Sequence, residues 1–382
     1  MSVAATFLFA AVIIGVLSAV AAVLPSWVTS GAVARSAVAG AGTALTGVAG
    51  VVAGIAALTG DPYVMELPGL LPLTGFTIAI DALGGVFVTV VGAVATAAGI
   101  YGVGAARSLV AQAVVPLFVV AMLLVPVAGN VGAFLVCWEL VALTSLLLVV
   151  AEHRTSPAAA TAGRWYGALS QLGFLTVLSG LLLVGGPDDF AALREATPSG
   201  AVAGAAFVLT LLGFAAIAGV VPLHVALPRA HAAAPSQAAA LMSAAMVTLG
   251  GYGIVRVGLD LLGGGPGWWW LVVLALGSLT AVHGNLRAAA SGDLGGLLAR
   301  ASAAGMGLVL VGIGAAGLFA SAGDRVLAGL ALAAALLHVL NHAAGTTLLF
   351  LAAGSVRRGA GTRDLDGLGG LRKGMPVTTA AF

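Results

Sequence analysis

Long apolar runs separated by short polar connections dominate the chain. A helix that crosses a bilayer needs about 20 apolar residues. Eleven stretches reach that length, near 2–29, 36–59, 82–104, 108–128, 130–151, 162–186, 200–221, 236–258, 267–289, 296–321 and 326–354, and a twelfth starts near 375. This pattern predicts an all-α polytopic membrane protein built as a single membrane domain over 1–382. Met1 leads straight into an apolar run with no basic stretch, which predicts a retained first helix rather than a cleaved signal. Two connections depart from the pattern. Residues 62–81 hold Pro62, Pro68 and Pro72, then Phe76 to Asp81 in period-two alternation, which predicts a short strand or hairpin on the outer surface. Residues 222–235, PLHVALPRAHAAAP, hold three prolines and two histidines inside an otherwise apolar region. Three prolines so close break a continuous helix. At membrane depth a broken helix survives only where it is buried in protein or lines a cavity.

Composition agrees with a lipid solvent. Of 382 residues 61% are hydrophobic and 7% charged, against roughly 25% charged in an ordinary soluble domain, and the mean hydropathy is +1.15. A soluble globular enzyme is excluded. The 56 glycines show no Gly-X-Y period and suit close helix packing in a membrane. Cys137 is the only cysteine, so no internal disulfide and no thiolate metal or iron–sulfur site is expected. Nor is there a Walker loop, a Rossmann glycine pattern, a haem-ligation motif or a catalytic triad, so no cofactor is expected. The net charge of +2 rests on few residues and indicates no nucleic-acid partner.

The placement of charge says more than its total. Alternate connections hold Arg35, Arg107, Arg154, Arg164, Arg229, Arg287, Arg300, Arg357, Arg358, Arg363, Arg372 and Lys373, while the other set holds Arg194, Arg256 and Arg325. Lys and Arg accumulate on the cytoplasmic side of membrane proteins. The bias predicts a multi-pass protein of the inner (cytoplasmic) membrane with its N-terminus outside. The outer loops are the acidic ones, with Asp61, Glu66, Asp188, Asp189 and Glu195.

Three constellations could carry chemistry. Glu139 sits in the middle of the fifth span, where an ionisable group costs about 2.5–3.5 kcal/mol on insertion scales. It is either a proton-carrying carboxyl or a group hydrogen-bonded to a neighbouring helix. His224 and His231 lie in the broken segment. Polar groups there pass protons, as in the discontinuous helices of transporters, or hold the carbonyls freed by the break. No carboxylate or thiol stands ready to complete a metal site with them. In the eleventh span His338 and His342 stack one turn apart with Asn341 alongside. They form a stage of a proton wire or polar glue between helices, and Thr346 and Thr347 continue the stripe.

The stretch 222–256, PLHVALPRAHAAAPSQAAALMSAAMVTLGGYGIVR, resembles the signature of the antiporter-like membrane subunits of respiratory complex I. That superfamily includes subunits of membrane-bound hydrogenases, formate hydrogenlyase and multisubunit cation/proton antiporters. The wording PLHVALPRAHAAAPS followed by ALMS, with 338–356 and 361–376, looks closest to the hydrogenase branch, and 132–140, GAFLVCWEL, resembles the family's glutamate-bearing fifth helix. The resemblance covers roughly 70–382. It implies inverted five-helix repeats, each with one discontinuous helix. The chain would then divide into N-terminal helices over 1–104, a first repeat over 108–258 with its break in the seventh helix, and an incomplete second repeat over 267–382, ending where the second break should begin.

The resemblance also implies proton movement through the fifth-helix glutamate and lysines in later helices. Glu139 is present, but the lysine positions fall at Ile217, Thr248 and Thr346, and the tenth-helix polar patch reads Ser302-Ala303-Ala304-Gly305 without a carboxylate. Glu139 has therefore lost its nearest expected cation. The proton path has either lapsed or been rerouted through His224, His338 and His342. Three functions follow: a proton-conducting membrane-arm subunit of an NADH:quinone oxidoreductase-like or hydrogenase complex, with no redox centre of its own; a non-translocating membrane scaffold; or a cation/proton antiporter subunit. The expected partners are other membrane subunits, lipid and protons.

Overall fold

In a computed structural model of the chain, residues 2–24, 32–104, 108–151, 157–185, 189–196 and 198–382 are described. The end of the first span at 25–29, the loop at 152–156, and Arg107, Arg154 and Asp188 lie outside the described residues.

Among the described residues, eleven helices are long and apolar enough to cross a membrane. Helices α1 (Val3–Val23) and α2 (Ala32–Leu58) lead into strands β1 (Tyr63–Leu67) and β2 (Phe76–Ile80). The strands pair antiparallel with Met65 opposite Ile78. Helices α3 (Ala82–Gly102), α4 (Leu109–Leu124), α5 (Val131–Val149) and α6 (Pro157–Val184) follow, then a short α7 (Phe190–Glu195). Polar residues start these helices: Asp81 accepts from the Gly84 N–H at 2.8 Å, and Asn130 from that of Ala133 at 2.9 Å, each satisfying a donor that the first turn leaves open.

The seventh span is interrupted. Helix α8 (Gly200–Ala218) ends on Gly219, which adopts the left-handed conformation (φ +73°) that glycine takes without steric cost. A 3-10 turn at Leu223–Ala226 and a two-turn α9 (Leu227–Ala233) complete the span. The eighth span is continuous but not uniform. It runs as α10 (Ser236–Leu241), a π turn over Met242–Met246, α11 (Val247–Ile254) and a second π stretch over Val255–Leu261. It therefore extends three residues beyond the predicted end at 258. Helices α12 (Gly267–Ala289), α13 (Leu294–Ser321) and α14 (Arg325–Ala360) follow, then two short pieces, α15 (Leu371–Gly374) and α16 (Pro376–Ala381). The predicted start of a twelfth span is this six-residue α16.

The eighth span is the axis of the bundle. Its most apolar window is 100% buried, against 22% for α14. Its residues are mostly Ala, Gly, Ser, Thr and Met, whose small or pliant side chains let neighbours approach closely. The tightest packing elsewhere joins α2 to α3. A Cβ at Gly92 would stand 2.6 Å from the Gly47 carbonyl oxygen and 2.6 Å from the Val51 nitrogen, both backbone atoms that cannot swing aside. Gly92→Leu should therefore separate α2 from α3 and lower stability by roughly 1–3 kcal/mol. Thermal unfolding of the purified protein in detergent measures this, and an unchanged midpoint would contradict the close approach.

Candidate functional site: a polar string around a π turn

The π turn of the eighth span gathers polar groups from its neighbours. A widened turn loosens the regular ladder of helical hydrogen bonds and presents carbonyls sideways. The Ser243 carbonyl oxygen accepts from His342 Nε2 on α14 at 3.1 Å and from the Ser302 hydroxyl on α13 at 3.0 Å. The Ser243 hydroxyl lies 2.6 Å from His231 Nδ1 on α9. From the opposite side Tyr166 of α6 places its hydroxyl 3.4 Å from Met246 Sδ and 2.7 Å from Ser145 Oγ on α5. His231, Ser243, Ser302 and His342 are all buried.

These contacts fix one tautomer. A carbonyl oxygen only accepts, so His342 Nε2 carries the proton that it gives to Ser243. In the neutral ring Nδ1 is then an acceptor, and Thr346 Oγ1 lies 3.4 Å from it. At the other end, His231 Nε2 is buried with no hydrogen-bond partner among the described residues. The string thus runs His231, Ser243, His342, Thr346, with an open ring nitrogen at its first member. Its junction is chemically uneven: the hydroxyl of Ser243 faces one histidine and its carbonyl faces the other. A hydroxyl relays a proton and a carbonyl does not, so transfer between the two rings requires the Ser243 hydroxyl to turn or a water to bridge.

The other anticipated residues stand apart from this string. Glu139 on α5 is half-buried rather than enclosed. Its Oε1 accepts from Gln171 Nε2 on α6 at 2.8 Å, and its Oε2 is buried without a partner. The neighbour that answers the carboxyl is an amide, and among the described residues Glu139 forms no ion pair. His224 sits in the 3-10 turn with its ring centroid 4.9 Å from that of His283 on α12. His338 on α14 is half-buried with an unpartnered Nε2, and Asn341 faces outward. Glu139, His224 and His338 make no direct contact with one another among the described residues; the histidines that meet a shared residue are His231 and His342, at Ser243. Of the positions singled out by the resemblance, Ile217 is buried in α8, and Thr248 is buried in α11 with its hydroxyl donating to the Ala245 carbonyl at 2.7 Å. Thr346 meets His342 instead of supplying a cation.

A second polar cluster was not anticipated. Arg256, counted above among loop residues, lies inside the eighth span with its side chain 5% exposed. It binds both oxygens of Asp81, at 2.7 and 2.8 Å, Asp260 at 2.7 Å and the Tyr252 hydroxyl at 3.0 Å. Arg194 of α7 holds Asp260 in turn at 2.8 and 2.9 Å. The alternation Asp81, Arg256, Asp260, Arg194 sums to zero charge, which is how a guanidinium tolerates burial. Tyr252 and Asp260 flank Arg256 at one-turn spacing on the same helix, and that is the local sign by which this cluster is legible. Burial would raise the Asp81 carboxyl; the hydrogen bonds and charge of Arg256 outweigh it and hold the group below its ordinary value.

Among the described residues the chain forms eleven membrane-length helices, the seventh interrupted and carrying the buried His231. The chain belongs to the family described as NADH:quinone oxidoreductase/Mrp antiporter, transmembrane, which it matches over residues 128–382. An uncharacterized protein of Mycobacterium tuberculosis is 50% identical over 89% of this chain and 54% of its own length. Hydrogenase-4 component B of Escherichia coli K12 is 40% identical over 69% of this chain and 40% of its own. The chain thus spans about half the length of these relatives, or less. A chain of the membrane-bound sulfane sulfur reductase, an archaeal respiratory membrane complex, superposes with a TM-score of 0.83 over 100% of this chain and 76% of that one at 22% identity, which shows a shared fold.

The depressed Asp81 carboxyl gives a test. A group with a lowered folded pKa stabilises the fold above its unfolded value, near 3.9, and that stability is lost as pH falls through the folded value. The melting temperature should therefore drop on acidification below about pH 4. Arg256→Met should cost roughly 1–3 kcal/mol at neutral pH, discounted because Asp81 is partly exposed, and should flatten that acid limb. An Arg256→Met variant with the wild-type midpoint at pH 7 would show that the cluster is not structural.

Proposed function

We propose that this chain is a membrane-arm subunit of a respiratory or hydrogenase assembly and that it moves protons through buried histidines in place of the family lysines. It carries no redox centre; electrons pass in partner subunits of the assembly. The supporting observation is the string His231–Ser243–His342, which links the broken seventh span to the eleventh across the buried π turn. Neutral imidazoles cost less to bury than ammonium groups and still take up a proton transiently. Ser243 is the switch point, since a turn of its hydroxyl or an intervening water makes the path continuous. In this reading α4 to α11 form a first repeat and the helices from α12 onward form part of a second.

Two experiments bear on the proposal. In the full assembly reconstituted into vesicles, Ser243→Ala keeps the carbonyl, and with it the contacts to His342 and Ser302, but removes the hydroxyl. Proton uptake should fall by roughly 100-fold if the hydroxyl is an obligatory relay, with assembly intact. Unchanged uptake would leave the scaffold reading, and uptake that requires sodium or potassium would indicate cation exchange instead. For the orientation, Arg358→Cys in intact cells should resist an impermeant thiol reagent, as an inward-facing position does. The native Cys137 is buried and does not compete. Labelling at 358 from outside would reverse the topology.

A further inference from the structure

A cavity of about 280 Å³ opens beside the break in the seventh span, between the 3-10 turn with α9, α12 and α13. Its lining includes Arg229, Arg287, Arg300, His224 and His283 and, among the described residues, no carboxylate. Arginines on this side of the molecule are expected from the charge bias between loops. Such residues ordinarily sit on separate loops and point into water. Here three of them, from three different elements, converge on one concavity with two imidazoles. Among the described residues the ion pairs engage Arg194, Arg256 and Arg363, so the three cavity guanidiniums have no carboxylate partner. Arg229 spends one N–H on the Val225 carbonyl at 3.1 Å and rests against the Trp165 ring. Arg300 donates to the Ser291 hydroxyl. A guanidinium has five N–H donors, so most remain unused. His224 meets the Pro222 backbone and the His283 ring. One wall is fixed: the Val221 N–H donates to Thr280 Oγ1 at 3.0 Å.

We infer that this cavity binds a phosphate-class anion, either the headgroup of an acidic phospholipid or free phosphate. Planar guanidinium forks match phosphate oxygens in bidentate fashion, and a bound anion relieves the repulsion among three like charges. Because the lining joins Val221–Arg229 to α12 and α13, occupancy would brace the unwound segment against both helices. The site is separate from the His231–Ser243–His342 string and does not depend on proton movement through it.

The test uses the full-length protein in nanodiscs of neutral phosphatidylcholine, with two probes: phosphatidylglycerol added to the bilayer, and inorganic phosphate added to the buffer. Native mass spectrometry counts retained phosphatidylglycerol, and the thermal midpoint reports binding of either probe. A raised midpoint with phosphatidylglycerol alone identifies a lipid headgroup; a raised midpoint with inorganic phosphate alone identifies a soluble ligand. In Arg287→Gln/Arg300→Gln the apparent affinity for the effective probe should fall by roughly tenfold or more, the equivalent of losing one charge-assisted hydrogen bond. Arg325→Gln, on a different connection, should bind as wild type. Arg287 is exposed, so Arg287→Gln alone serves if the double variant unfolds, and it too should weaken binding. Failure of both probes to bind, or wild-type affinity in the arginine variants, would overturn the proposal.

Discussion

Within a bilayer every backbone N–H and C=O needs a partner from the protein itself, and the interrupted seventh span exists only because that condition is met. The Val220 N–H returns to the Ala215 carbonyl at 2.9 Å, and the Val221 N–H reaches sideways to Thr280 on α12. Pro222, Pro228 and Pro235 bring no N–H to satisfy. The Ala234 and Ala239 donors find the Ala230 and Pro235 carbonyls at 2.9 and 2.8 Å. Prolines that would destroy a helix elsewhere remove the donors that the break would otherwise orphan. The break in turn needs α12 and α13 beside it, so its position fixes the packing of the helices that follow.

The same constraint accounts for the axis. A π turn sheds regular hydrogen bonds and is stable in lipid only where side chains from other helices replace them. Ser302 and His342 do so at one carbonyl, and the Ser243 hydroxyl turns to His231 in the break. The two irregularities, in the seventh and eighth spans, thereby answer each other. Their polar groups are concentrated at one place on an axis rich in alanine, glycine and methionine.

The eleven spans were legible because the signal is local: a run of apolar residues is its own evidence. The proline-rich break was legible for the same reason. What lay beyond the sequence was pairing at a distance. Arg256 reads as a loop residue until Asp81, 175 positions away, is known to meet it. His342 and Ser243 are 99 positions apart, and nothing in MSAAM announces a π turn. His283 drew no notice in a span that otherwise reads as ordinary, yet it is the ring that His224 meets. Family resemblance located Glu139, Ile217, Thr248 and Thr346, but could not say which surviving polar groups now touch.

Charge inside the bundle is paired or answered by neutral groups. Inside the bundle, the cationic side chain described in the eighth span, Arg256, is locked into an alternating cluster with Asp81, Asp260 and Arg194. Glu139 accepts from the amide of Gln171 and, among the described residues, forms no ion pair. The Gln171 amide is neutral, so the α5–α6 contact is a hydrogen bond and not an ion pair. Nearer the axis, His231 and His342 meet the hydroxyl and the carbonyl of one serine, Ser243. On the proposed route, transfer between the two rings needs the Ser243 hydroxyl to turn or a water to bridge, because the carbonyl that faces His342 only accepts.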